Sequence, residues 1–593
     1  MESSLQMYEI ADKFAAQTKR NIFLTGKAGT GKTTFLQKLK EKTYKQMAVV
    51  APTGVAAINA GGTTIHSFFQ LPLMPFIPTI EGRKELISKL KMQRNQRRVI
   101  RELELLVIDE VSMVRADVMD AIDTVLRHIR YRPKEPFGGV QVIFIGDMYQ
   151  LPPVMKDDEW RILSNYYEGI YFFHSKVIDE ESLIYIEFDK IFRQSDMNFI
   201  SLLNKIRNNV LDNDAFETMS RCYRPGFIAP QDSTYITLTT HNYKADRINQ
   251  GELKKLETAS YTYSAQVKGD FPERNFPVDL ELTLKIGARV MFLKNDTEVP
   301  RRFYNGKIGK ITAFGEDSIT VECPGADVID VSRMEWNNIR YSANEVTQQI
   351  DEEILGVFRQ FPLRLAWAIT IHKSQGLTFD KAVIDAEDAF ASGQVYVALS
   401  RCRTLEGVVL TSPIHQFAVH NDDKIVAFSK QKNSLNELHT QLKKSENDFF
   451  TFLLLGIFDF RAIVTNVKNL IETIKQNELL QTKEVFDFSE NLLRQSAELQ
   501  DIAGNFSQQL LNICSQSPLN HTYLQQRLQA AEKYFTEKFS TFSEELKKSP
   551  ASIDNKQIAK SYDDDLKEIF TLAEQKKHLI IGIKDHFSIQ KYY

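Results

Sequence analysis

Cysteine is scarce in this chain of 593 residues. Cys222, Cys323, Cys402 and Cys514 lie far apart, in no paired spacing. That excludes a disulfide framework and a structural zinc knot, and fits a reducing, cytoplasmic setting of bacterial type. Net charge is also scarce: the formal balance is −3, so no global basic field advertises a nucleic acid. Any such partner must be held in a local groove. Long apolar runs are missing too. The longest, "FFTFLLLGIF" at 449–458, is too short to cross a bilayer, so no membrane partner is expected. The acidic, amphipathic start "MESSLQMYEIADKF" is unlike a signal peptide. Glycine and proline all but vanish after residue 430, where only Gly456, Gly504, Gly582, Pro518 and Pro550 remain.

What is present is ordinary globular composition, 43% hydrophobic and 25% charged, in a chain long enough for about three or four domains. Up to about residue 430, short apolar runs such as "NIFLTG", "LELLVIDE", "VQVIFIGD" and "KAVIDA" alternate with amphipathic stretches. That is the pattern of βα units and parallel sheets. From about 262 to 360 the texture is β-rich with glycine turns, which predicts a small antiparallel barrel inserted in an α/β lobe. Beyond 430 the apolar spacing is helical, with breaks expected near 480, 517 and 550.

"GKAGTGKT" follows the strand "NIFLT" and opens the helix "TTFLQKLKEK". Gly26, Ala28, Gly29, Thr30, Gly31, Lys32, Thr33 and Thr34 thus form a phosphate cradle, with glycines letting the backbone wrap and a helix N-terminus offering N–H donors. Lys32 is expected to reach the β- and γ-phosphates of ATP, and the Thr33 hydroxyl to bind Mg²⁺. A turn that binds nothing is disfavoured by the strand before it and the helix after it. "LELLVIDEVSMV" ends in Asp109, expected to complete the Mg²⁺ shell, and Glu110, expected to polarise the attacking water. Alone, such a pair is a solvated strand cap; after a phosphate loop the odds invert. "VIFIGDMYQLPPV" brings Gln150 to the end of a third strand, within reach of a γ-phosphate. Arg193 and Arg401 suit phosphate because the guanidinium is planar and always charged. Spacing alone does not single them out.

The ordered set "GKAGTGKT", "APTGVAA", "TIHSFF", "VIDEVSMV", "GDMYQLPPV", "FRQ", "AITIHKSQGLTFDKAVID" and "VYVALSRCR" resembles the Pif (petite integration frequency) family of DNA helicases, superfamily 1B enzymes related to RecD. The match runs from about 20 to 412. The resemblance implies an α/β fold of two RecA-like P-loop lobes with parallel sheets and ATP between them. It also implies a Src-homology-type β-barrel inserted in the second lobe, and 5′-to-3′ movement on single-stranded DNA. It assigns Gln150 as γ-phosphate sensor, Arg193 and Arg401 as arginine fingers worth about 10³–10⁵ in rate, and Gly376 beside the nucleotide. The domains are then 1–180 (first lobe), 181–261 and 361–430 (second lobe), 262–360 (barrel) and 431–593 (helical extension). Two departures stand out. The family's adenine-reading glutamine has no match, Gln6 lying too far from the loop, and the extension carries no recognised motif.

The resemblance also explains the plain, threonine-rich stretch "APTGVAAINAGGTTIHSFF". A translocase must hold DNA without reading it and release it each cycle. Pro52, Thr53, Gly54, Thr64 and Ser67 are expected to touch phosphates and sugars weakly. His66 and Phe68 are expected to face bases, where stacking is worth about 1–3 kcal/mol each, with burial the competing reading for Phe68. His372, Lys373 and Ser374 are the matching grip on the second lobe. The basic run "KMQRNQRRVIR" is read as a solvated helix face. The expected activity is ATP-dependent unwinding by a monomer acting at single/double-strand junctions. The alternatives are a translocase that strips proteins from DNA and a binding scaffold with a fossil ATPase.

Overall fold

The strand Ile22–Gly26 (β1) is buried along its whole length, and so are Leu105–Ile108 (β4) and Gln141–Ile145 (β5). With Met47–Ala51 (β2), Thr63–Thr64 (β3) and Ile184–Phe188 (β6) they form one parallel sheet in the order β3-β2-β4-β5-β1-β6. Continuous apolar runs suit strands covered on both faces, and the loops at their carboxyl ends carry every first-lobe motif. In this computed structural model the description covers residues 2–592 apart from 192–195, 209, 231–232, 297–301, 324–326, 344–349, 386–392, 414–421, 517, 551–555 and 584–586. β6 pairs with β1 from Ile22 to Gly26, so the first lobe runs past the expected limit of 180. The signal is an apolar strand whose partner lies about 160 residues upstream, which local pattern does not reveal.

The second lobe is a four-stranded parallel sheet in the order Ala368–Thr370, Ile236–Thr239, Ala382–Ile384, Val408–Leu410. Between its first two strands in sequence lies the antiparallel insert. It begins at Ser260 and ends with Leu363–Leu365, a little wider than 262–360. Its strands form a five-stranded, a three-stranded and a two-stranded ladder; among the described residues no ladder closes them into one barrel. Its core is Phe271, Leu284, Val290, Phe292, Ile319, Val321, Trp336 and Phe358.

After the second lobe the chain returns to the first. The helix Asp423–Ser429, expected in the second lobe, lays Phe428 on Phe173 at 4.2 Å with planes 7° apart, and Phe23, Phe172 and Tyr185 surround it. Asn433 then bonds the backbone of Tyr185 on the edge strand β6, accepting from its N–H at 2.9 Å. Residues 431–433 therefore belong to the first lobe, not to the extension.

The described residues divide into two units, Met1–Ala15 with Arg20–Leu438, and Ala16–Lys19 with His439–Tyr593. The second is a helical bundle: Leu435–Ile457 leads in, followed by Arg461–Gln476, Lys483–Cys514, His521–Leu546, Lys556–Gly582 and the short Ile589–Tyr592. By length and hydropathy the stretch Leu435–Gln476 would pass for a membrane span. It is two helices, and Phe449, Leu453, Leu454, Ile457, Val467 and Leu470 are buried in the bundle core.

Candidate active site and nucleic-acid path

The phosphate loop leaves β1 with three glycines at positive φ: Gly26 at 152°, Gly29 at 82° and Gly31 at 91°. A Cβ on Gly26 would stand 2.5 Å from the Phe188 carbonyl, so a side chain is excluded there by space as well as by φ. The helix Lys32–Lys42 starts at Gly31 with no side-chain cap and no acid in its first turn, leaving its dipole directed at the loop. The Lys32 ammonium folds over the loop, donating to the carbonyls of Gly26 (2.5 Å) and Lys27 (3.1 Å). Thr30 closes the turn by donating to Lys27 (2.9 Å), Ala28 is buried, and Thr33 and Thr34 are exposed.

Asp109 and Glu110 follow β4. Asp109 accepts from the Glu110 N–H at 3.0 Å. Glu110 sits at φ 51°, left-handed for a residue with a side chain, a strain of about 1 kcal/mol that tends to mark functional positions. Burial raises both carboxyls well above their usual range; Lys32 opposes this for both, and Arg401 opposes it for Glu110. The amide of Gln375, from the second lobe, donates to Glu110 at 2.8 Å and lies 3.5 Å from the Gln150 side-chain oxygen. Gln150 donates in turn to Asp147 at 3.3 Å. Asp147 is buried and pairs with Arg207 (3.3 Å), which also reaches Glu187 (3.3 Å) and lies over the Tyr149 ring. Tyr396, fully buried on the helix Gln394–Leu399, sets its hydroxyl 3.5 Å from both the Ala28 N–H and Asp147. Arg401 is 2% exposed, its guanidinium bonded to the carbonyls of Val397 and Leu377 and the hydroxyl of Ser400. Gly376, at φ 79°, follows Gln375 with open space where a Cβ would be. Arg193 lies outside the described residues.

Lys32, Asp109, Glu110 and Gln150 from one lobe are thus gathered with Arg401 and Gln375 from the other. Asp147, Arg207, Gln375 and Tyr396 are not singled out by sequence. Three of them stand inside motifs already quoted; Arg207 in "LLNKIRNN" carries no local signal, and its role depends on burial against two carboxylates.

On the expected DNA path the outcome is mixed. Thr53 and Thr64 are helix caps whose hydroxyl oxygens accept from Ala56 (3.2 Å) and Ser67 (3.3 Å). Each keeps its own proton to donate outward. Ser67 is exposed; Pro52 and His66 are half-buried. Gly54 meets the insert, where an added Cβ would stand 2.9 Å from Asn275. Phe68 is half-buried, in T-shaped contact with Phe69 (4.8 Å) and with Tyr341 of the insert (5.7 Å). Ser374 is corrected outright, being fully buried with its hydroxyl donating to the Ile371 carbonyl (2.7 Å). Lys373 is exposed and His372 half-buried, and burial lowers the pKa of both.

Two parallel-sheet lobes closing on a phosphate loop define a RecA-like P-loop motor. Comparison with known proteins narrows the class. A family model described as PIF1-like helicase matches residues 3–214, and one described as DNA helicase, middle domain, matches residues 441–593, the bundle. The crystal structure of Bacteroides sp Pif1 in complex with ADP-AlF4 is 42% identical, covering 72% of this chain and 96% of that one, with a TM-score of 0.66. The structure of Pif1 helicase from Bacteroides with ADP-AlF3 and ssDNA matches at 42% identity over the same shares, with a TM-score of 0.51. The ATP-dependent DNA helicase Pif1 of Campylobacter jejuni is 31% identical over 74% of this chain and the whole of that one. The Danio rerio PIF1 is 32% identical over 73% of this chain and 64% of its own length, so the chain spans a little under two thirds of that relative. The chain belongs to the PIF1-like helicase family.

Proposed function

We propose that the protein is an ATP-dependent DNA helicase that moves 5′-to-3′ on single-stranded DNA and opens duplex at single/double-strand junctions. The observation that carries this reading is the convergence of Lys32, Asp109, Glu110 and Gln150 with Arg401 and Gln375 across one cleft between two lobes. Lys32, freed from its loop carbonyls, would neutralise the β- and γ-phosphates. Gln150 would follow the γ-phosphate, and Arg401 would meet charge that grows in the transition state.

The donor set suits Mg²⁺. The exposed Thr33 hydroxyl and the buried Asp109 carboxyl are hard oxygen ligands, and a dication would offset the burial that raises Asp109. When bound, the ion would neutralise charge between the phosphates. Glu110, raised in pKa and bonded to Gln375, would orient water and take its proton. Arg193 is carried as the second finger on the family resemblance alone. Thr53, Thr64, Ser67, His372 and Lys373 would hold the strand through phosphates, with lobe closure and reopening moving one grip past the other. We further infer an active monomer in a reducing, cytoplasmic setting, a reading that rests on the wide spacing of the four cysteines in the sequence.

Strand displacement on 5′-tailed, 3′-tailed and blunt duplexes, with and without ATP, tests the reading. Unwinding confined to the 5′-tailed substrate and to ATP is expected. Preference for the 3′ tail would reverse the polarity, and ssDNA-stimulated turnover with no strand release would favour the protein-stripping translocase.

A further inference from the structure

The second-lobe grip and the water-activating carboxylate are joined by a short, stiff piece of chain. After the strand Ala368–Thr370 the backbone folds into a turn in which Ser374 N–H donates to Thr370 (3.0 Å), Gln375 N–H to His372 (3.2 Å) and Leu377 N–H to Ser374 (3.0 Å). Lys373 N–H adds a bond to the Thr370 hydroxyl (3.3 Å), and the buried Ser374 hydroxyl ties to Ile371 (2.7 Å). Such a turn moves as one body. It shows Lys373 to solvent, and two residues later it extends Gln375 across the cleft to Glu110 (2.8 Å). This bond spans 265 positions of sequence and links the two lobes, so a change in their separation would alter it. A carboxylate that accepts from an amide has its rotation restricted, and a hydrogen bond to a charged group is stronger than one between neutral groups.

We propose that Gln375 is a positioning residue: it transmits the state of the DNA-gripping turn to Glu110, aligning that carboxylate for water activation when a strand is engaged at His372 and Lys373. This rests on the reading of Glu110 given under Proposed function. Its long contact with Gln150 (3.5 Å) places the same amide beside the γ-phosphate sensor, so one side chain touches both groups that must be set for turnover. Gln375 does not itself exchange a proton.

The full-length chain with Gln375→Met, which keeps the length but has no donor, and with Gln375→Glu, which sets carboxylate against carboxylate, tests this. Steady-state ATP hydrolysis is measured with and without a saturating dT oligonucleotide, beside the affinity for that oligonucleotide. In Gln375→Met the DNA-stimulated kcat falls about 10-fold or more, the size expected for losing a hydrogen bond to a charged group. KM for ATP and DNA affinity stay within about twofold, both rates fall but the stimulated kcat falls further than the unstimulated one, and Gln375→Glu falls further still. Equal loss of both rates would mean that Gln375 is only a support. Parallel loss of DNA affinity would make it a grip residue, and an unchanged ratio would remove it from the mechanism; each overturns the proposal. If Gln375→Met melts below the assay temperature, Gln375→Asn, which withdraws the amide by one carbon, is read in the same way. A parent chain lacking DNA-stimulated turnover overturns the functional reading along with the coupling, whereas a stimulated parent with an unaffected variant overturns the coupling alone.

Discussion

The interior of residues 20–438 holds charge: Asp117, Asp120, Asp123, Asp147, Arg207 and Arg401 are all below a tenth exposed. Among the described residues of 439–593, the buried polar side chains are serines, Ser445, Ser489, Ser496 and Ser543, set among Leu454, Phe458, Phe460, Phe535 and Phe539. Burying a charge costs free energy unless it is paired, and where that cost is tolerated the group usually has work to do. The bundle keeps that cost small: Lys576, whose pKa burial lowers, donates to the Gly456 carbonyl. Its polar contacts, such as Thr473 to Asp565 and Ser543 to Glu574, accompany a core made of aliphatic and aromatic side chains. One unit buries paired charge; the other builds its core from aliphatic and aromatic side chains.

That contrast can be broken most sharply at Arg401. Arg401→Ala should bind nucleotide yet lose about 10³ in kcat, as removal of a finger does; single-turnover hydrolysis and fluorescent-nucleotide titration check it. A parent-like rate would show that buried charge here is structural. The next effect is on folding. Phe428→Ala and Phe539→Ala each empty a packed aromatic site and should cost about 3–5 kcal/mol. Calorimetry should show the first lowering the motor's transition and the second the bundle's, with turnover per folded molecule unchanged in the second. A single shared transition that both variants lower would make the two units one cooperative body.

A smaller effect is expected at the grip. His372→Ala with Lys373→Ala should weaken single-strand binding several-fold in all sequences and reduce the salt slope by about 0.7 for each phosphate no longer neutralised. Salt titration of a fluorescent oligonucleotide measures it, and an unchanged slope would place these residues off the strand. The smallest concerns His174. Burial foremost, with Lys424 adding to it, lowers its pKa from 6.5 to about 4, against Asp422 and Glu168. The folded state therefore favours the neutral ring. As pH falls from about 6.5 towards 4 the unfolded chain takes up a proton that the folded one resists, and stability is lost over that window. His174→Gln should flatten this part of the melting-temperature profile, and equal slopes in variant and parent would refute the assignment.

The α/β texture, the β-rich insert and the helical tail are legible in sequence because periodicity is local. The break near 480 coincides with the gap between the α-helices Arg461–Gln476 and Lys483–Cys514; residue 517 and residues 551–555, at the other two expected breaks, lie outside the described residues. The break at 458–460 has no such signal, because no proline marks it and Gly456 lies inside an apolar run. β6 and the Asp423–Ser429 helix read as second-lobe elements, against the structure, because their partners are distant in sequence. At the site, motif residues can be named one by one. Gln375 and Arg207 cannot, since their meaning lies in what faces them in the folded chain. Ser374 shows the converse: a plausible phosphate donor by type, it is turned inward by one hydrogen bond to its own turn.

The return of the chain to the first lobe has a mechanical consequence. In sequence the second lobe, with its insert, lies between two elements anchored on the first lobe, Ile184–Phe188 by strand pairing and Asp423–Ser429 by the Phe428 stack. A body held by one strap can swivel; a body held by two behaves like a door on paired pins. Two anchorages leave it fewer orientations than a single linker would, because any rotation must keep both the strand pairing and the aromatic stack intact.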